Sequence, residues 1–133
     1  MAKARCACGE IVLTITGTPS ATVMCHCKDC QRRTGSPFGV GNYYTPDQVE
    51  IAGSPKAYER GTDSGNRLRN FFCPSCGTTV YWLAGPDLDR LGVATGCFDD
   101  PDGALPNRSV YEDLRHAWVD TSPIDQRFPR ARQ

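Results

Sequence analysis

Seven of the eight cysteines lie in three short clusters: Cys6-Ala7-Cys8-Gly9, Cys25-His26-Cys27-Lys28-Asp29-Cys30 and Cys73-Pro74-Ser75-Cys76-Gly77. No other feature limits the fold as tightly, because Cys-x-Cys and Cys-x-x-Cys spacings bring neighbouring thiolates onto one soft metal ion, most often Zn2+. The clusters offer two, three and two sulfurs. A closed structural zinc site takes four protein ligands, whereas a catalytic one takes three and keeps a position open. Cys6, Cys8, Cys73 and Cys76 together make the first kind, and Cys25, Cys27 and Cys30 make the second. The expectation is two zinc ions per chain, one structural and one catalytic.

Local sequence supports the division. On a strand-like start, Cys6 and Cys8 share a face, and Gly9 permits a sharp departure. Cys73 and Cys76 bracket Pro74-Ser75 and precede Gly77, which reads as a zinc knuckle at a hairpin tip. Such a site clamps the N-terminus to a distant hairpin and stabilises the fold directly. In the middle cluster, three thiolates leave one direction for water or an incoming thiol, which would lose its proton on binding. The alternative is that Cys97 or His26 closes this set as a second structural site. His26 sits between two ligands, so its side chain is expected to point away and serve as a hydrogen-bonded structural residue. Cys97 reads as a small buried hydrophobe. Lys28, Arg32 and Arg33 are either a solvated helical face or holders of substrate carboxylates. Phe71, Phe72, Tyr81 and Trp82 read as core around the zinc hairpin.

The chain of 133 residues is long enough for one domain with its own core, expected over residues 1–121 with a loosely ordered tail over 122–133. Fifteen basic and fifteen acidic residues cancel, which gives no general pull toward nucleic acid or membrane. Neither a signal peptide nor a membrane span is evident, so a cytoplasmic location with reduced thiols is expected. A disulfide framework is the alternative use of eight cysteines, and the tight clustering disfavours it. Alternation predicts strands over 10–16 and 21–24, a short helix over 28–34 ending at Gly35, and a strand over 38–44 whose glycines admit a close neighbour. Further strands are expected over 49–51, 56–60, 67–73, 78–83, 91–95 and 114–119. The sum is a mainly antiparallel β protein.

The stretches Cys6-Ala7-Cys8-Gly9, Cys25-His26-Cys27-Lys28-Asp29-Cys30-Gln31-Arg32-Arg33-Thr34-Gly35, Phe72-Cys73-Pro74-Ser75-Cys76-Gly77 and Gly96-Cys97-Phe98-Asp99-Asp100-Pro101 together resemble the glutathione-dependent formaldehyde-activating enzyme family, also called the centromere protein V/GFA family. The resemblance extends over about residues 4–120. It implies a β-tent fold, shared with methionine-R-sulfoxide reductase B, a structural zinc on Cys6, Cys8, Cys73 and Cys76, and a second zinc on Cys25, Cys27 and Cys30. It also implies a carbon–sulfur lyase-type reaction joining glutathione, or another small thiol, to formaldehyde as S-(hydroxymethyl)glutathione. A non-catalytic zinc module for a protein or for glutathione carriage is the alternative. Methionine sulfoxide reduction would need Cys97 as its catalytic cysteine, and the surroundings of Cys97 do not resemble that family's motif.

Overall fold

The computed structural model describes residues 1–102 and 105–131. Its architecture is mainly β. A three-stranded antiparallel sheet joins β1 (Ala2–Arg5), β2 (Val12–Ile15) and β5 (Val49–Ala52) in the order β1-β2-β5. An eight-stranded sheet contains β3 (Ala21–Cys25), β4 (Gly39–Tyr44), β6 (Lys56–Gly61), β7 (Arg67–Phe72), β8 (Thr79–Ala84), β9 (Arg90–Ala94), β10 (Arg108–Val110) and β11 (Gln126–Arg127). Its order is β11-β10-β3-β4-β9-β8-β7-β6. No helix among the described residues is long and apolar enough to cross a membrane.

Strand periodicity gives the large sheet two distinct faces. Leu91 and Val93 of β9 and Tyr44 of β4 pack against Leu13 and Ile15 of the small sheet in the main core. Ile11, Leu13 and Ile15 are each at most 1 % exposed, so the alternation legible in β2 is the buried face of that sheet. The intervening residues, Gly41 and Tyr43 of β4, Trp82 of β8 and Arg90 of β9, turn to the opposite face and line a cavity. Helix α1 (Lys28–Thr34) follows β3 and ends at Gly35, whose positive φ and N–H to the Gln31 carbonyl close the last turn.

Several expectations are corrected. The strand-like start expected to carry Cys6 and Cys8 is β1, which ends at Arg5 before the cysteines and pairs with β2 from Ala2↔Ile15 to Arg5↔Val12. The pairing is mainly antiparallel, as expected, with one exception at the sheet edge, where β10 runs parallel to both β3 and β11. The segment 114–119 forms no strand: Leu114 and Trp118 of its supposed apolar face are exposed, and Val119 alone is buried. The C-terminal segment, expected to be loosely held, is tied down. Ile124 packs with Met24 and Val119, Gln126 and Arg127 pair with Arg108 and Ser109, and Tyr111 N–H reaches the Arg130 carbonyl at 3.0 Å. Residues 132 and 133 of that segment lie outside the described residues.

Candidate metal centres and the cavity

The first and third cysteine clusters sit on two turns of similar design. Cys6 N–H reaches the Ile11 carbonyl at 3.1 Å and Gly9 N–H returns to the Cys6 carbonyl at 3.1 Å. Cys73 N–H reaches Thr78 at 2.9 Å and Gly77 N–H returns to Cys73 at 2.8 Å. Gly9 and Gly77 both take the positive φ that such turns require. Cys6 and Cys8 thus converge from a turn after β1 and not, as expected, by alternation along a strand. The sulfurs of Cys6, Cys8, Cys73 and Cys76 lie within 4.8 Å of one another. Cys8 Sγ stands 3.7 Å from both Cys6 Sγ and Cys73 Sγ. A tetrahedron of sulfurs about 2.3 Å from zinc has edges of about 3.8 Å, so the donor set fits that ion. Ile11 N–H donates to Cys6 Sγ at 3.3 Å, as expected of a sulfur meant to carry negative charge.

The middle cluster is assembled by the junction of β3 and α1. Cys25 ends the strand, Cys27 caps the helix with its sulfur accepting from Cys30 N–H at 3.4 Å, and Cys30 occupies the first turn. Their sulfurs also lie within 4.8 Å of one another, and no fourth Cys, His, Asp or Glu of the described residues joins them. Hydrogen bonds from the Cys25 and Cys30 thiols hold the Cys27 thiol far below the ordinary thiol range, while Cys27 and Cys30 push the Cys25 thiol far up. Three sulfurs so close cannot all ionise unaided, and a divalent cation is what allows them to. All eight cysteines are free thiols, as metal ligation requires and a disulfide framework does not.

Neither residue considered as a fourth ligand is directed there. His26 is fully buried, with Nε2 3.0 Å from Ser109 Oγ, which in turn donates to Glu112 Oε2 at 2.5 Å. Because the Ser109 hydroxyl proton goes to Glu112, His26 Nε2–H is the donor of this pair, and burial lowers the pKa of the ring. Its Nδ1 is buried without a partner among the described residues. Cys97 packs partly buried against the main core, with Sγ 3.9 Å from the Thr79 carbonyl.

The two sulfur sets differ in what they face. Cys25, Cys27 and Cys30 line a cavity of about 790 Å³; Cys6, Cys8, Cys73 and Cys76 do not. That volume is within the range of small-molecule sites. Trp82 is buried, as expected of the zinc hairpin, but it lies outside the main core cluster and forms the cavity floor, with its indole N–H donating to Tyr43 Oη at 3.0 Å. Phe71 and Tyr81 do pack as expected, stacked with centroids 4.6 Å apart. Of the three basic residues after the middle cluster, Lys28 is held by Gln31 Oε1 at 2.9 Å and Arg32 is exposed, so only Arg33 enters the cavity. Sequence reasoning missed Arg60, Arg67, Arg90 and Arg108, which reach the cavity from four different strands. Gly41 and Gly92 carried the one available signal, since a glycine within a strand marks a close approach.

A family model described as glutathione-dependent formaldehyde-activating enzyme matches residues 1–114. A crystal structure of a Rhodobacter sphaeroides protein, solved as a structural genomics target, is similar with a TM-score of 0.57 at 15% identity, covering 95% of this chain and 98% of that one. At that identity the similarity shows a common fold. No curated protein matches the chain.

Proposed function

The chain belongs to the glutathione-dependent formaldehyde-activating enzyme family, and from that premise we propose that it is a zinc-dependent carbon–sulfur lyase-type enzyme acting on a small thiol and an aldehyde. Glutathione and formaldehyde are the substrates the family description suggests. One observation carries the proposal: the three-sulfur set opens on the cavity, while the four-sulfur set does not. Cys6, Cys8, Cys73 and Cys76 would hold a structural zinc, and Cys25, Cys27 and Cys30 a second one. When bound by three thiolates, zinc supplies a site at which a further thiol is deprotonated near neutral pH.

The remaining work falls to the chain itself. The cysteine triad fixes where the substrate sulfur arrives, and the hydrogen-bonded Tyr43–Trp82 pair lines the same cavity. In the reaction a carbon–sulfur bond forms, the carbonyl π bond breaks, and the proton lost by the thiol ends on the former carbonyl oxygen. No oxidant or reductant is needed. Arg60 lies close enough to Cys27 to help lower its pKa and is a cation suited to a developing alkoxide. A reducing compartment such as the cytoplasm suits a chain of free thiols.

Exchange spectroscopy on an equilibrium mixture of glutathione and formaldehyde tests this reading. Wild type should accelerate exchange between free and hydroxymethylated thiol, and Cys27→Ala should not. Equal exchange with wild type, with variant and without protein would remove the enzymatic assignment.

A further inference from the structure

Five arginines line the cavity, and three are engaged. Arg60 pairs with Asp29 at 3.2 Å, Arg67 pairs with Glu59 at 3.0 Å, and Arg108 donates to Gln126 Oε1 at 3.4 Å. Arg33 and Arg90 differ. The Arg33 guanidinium carbon lies 4.5 Å above the Trp82 ring, and that of Arg90 lies 4.8 Å above the Tyr43 ring. Neither has a carboxylate at ion-pairing distance among the described residues. The two rings are coupled by the Trp82–Tyr43 hydrogen bond, with centroids 6.3 Å apart.

A cation over an aromatic face is held by the ring and keeps its N–H donors for another partner. Two guanidinium forks held on adjoining rings make a receptor for a planar anion, and a carboxylate matches the fork bidentately. The receptor also lies beside the sulfurs. A β-carbon on Gly39 would stand 2.6 Å from Arg33 Nη2 and 3.5 Å from Cys30 Cβ, so the Arg33 head group and the third cysteine border the same small volume. Helix α1 therefore offers Cys30 and Arg33, one turn apart, to the two ends of a single ligand.

We propose that Arg33 and Arg90 form a carboxylate subsite that makes the protein select acidic thiols over neutral ones. The position of the thiol end rests on the reading under Proposed function; the arginine subsite does not. Arg33 binds deeper in the cavity and Arg90, which is exposed, guides the carboxylate at its mouth.

Calorimetric titration with S-methylglutathione and with its dimethyl ester isolates the subsite, because neither probe has a thiol. Wild type should bind the acid at least about ten times more tightly than the ester, as charge-assisted hydrogen bonds are worth that factor or more. Arg33→Gln and Arg90→Gln should each weaken the acid by about 10- to 100-fold and leave the ester unchanged. Arg33→Lys should recover only part of the loss, since it keeps the charge without the fork. The exposed Arg90 carries the test if Arg33→Gln does not fold. Equal binding of acid and ester by wild type, or equal weakening of both in the variants, would overturn the subsite. Acid selectivity without catalysed exchange would leave the subsite standing and remove the enzymatic reading instead.

Discussion

The Trp82 indole occupies the space in which a side chain on Gly92 would stand: a β-carbon there would fall 2.2 Å from the indole nitrogen. The two residues face each other across β8 and β9. On the next strand, a β-carbon on Gly41 would lie 2.5 Å from the same ring. Two glycines on neighbouring strands thus form a trough that lets a large flat side chain lie against the sheet as the cavity floor. Arg33 covers the indole from above.

Gly92→Ala should therefore displace Trp82. We expect a destabilisation of about 1–3 kcal/mol, the usual range for overpacking, together with a change in tryptophan emission, read by denaturant titration. Unchanged stability and emission would show that the indole has room to move.

What was legible in the sequence was the part encoded locally. The cysteine clusters, the helix from Lys28 ended by Gly35 and the buried face of Ile11, Leu13 and Ile15 each depend on residues a few positions apart. The cavity was not legible, because Arg60, Arg67 and Arg90 occupy strand positions whose polar character equally suits solvent. Only the folding of the large sheet decides that they face a shared space. Strand β10 was missed for a similar reason: Arg108-Ser109-Val110 has no pattern of its own and pairs because β3 and β11 flank it. Leu114 to Val119 misled because its alternation buries nothing except Val119.

The two sulfur sets should respond differently to loss of a ligand. Cys8→Ser removes a sulfur from the set that joins the N-terminal turn to the β7–β8 hairpin, and we expect loss of cooperative folding, since structural zinc contributes folding free energy directly. Cys27→Ala should lose one ion per chain yet change stability by no more than about 2 kcal/mol. Near-ultraviolet circular dichroism with metal analysis checks both, and unfolding of both variants alike would contradict the division.

Glu59 accepts hydrogen bonds from Arg69 at 2.8 and 3.0 Å and from Arg67 at 3.0 Å, which lower its pKa below the ordinary carboxylate range. A group with a depressed folded pKa stabilises above its unfolded value, near 4.3, and that contribution fades as pH falls through the folded value. Melting curves from neutral pH to about pH 3 should show a small, salt-weakened acid loss that Glu59→Gln reduces. An identical acid profile in the variant would mean the pairs contribute nothing.

Asp63, in the loop between β6 and β7, accepts from Tyr111 Oη at 3.1 Å and Arg130 Nη2 at 2.9 Å. These bonds join the two ends of the large sheet across the cavity mouth. Asp63→Asn should leave global stability within about 1 kcal/mol, as expected for exposed pairs, while amide hydrogen exchange accelerates at residues 60–68. Unaltered exchange there would show that the hairpin is held by its own strands.

The central claim is that the triad of Cys25, Cys27 and Cys30 holds an ion with one position facing the cavity. X-ray absorption at the zinc edge measures it most directly. Seven protein sulfurs shared between two ions give an average of three and a half sulfur neighbours, and adding a small thiol should raise that average to four. A single ion per chain, or an average that thiol leaves unchanged, would contradict the account.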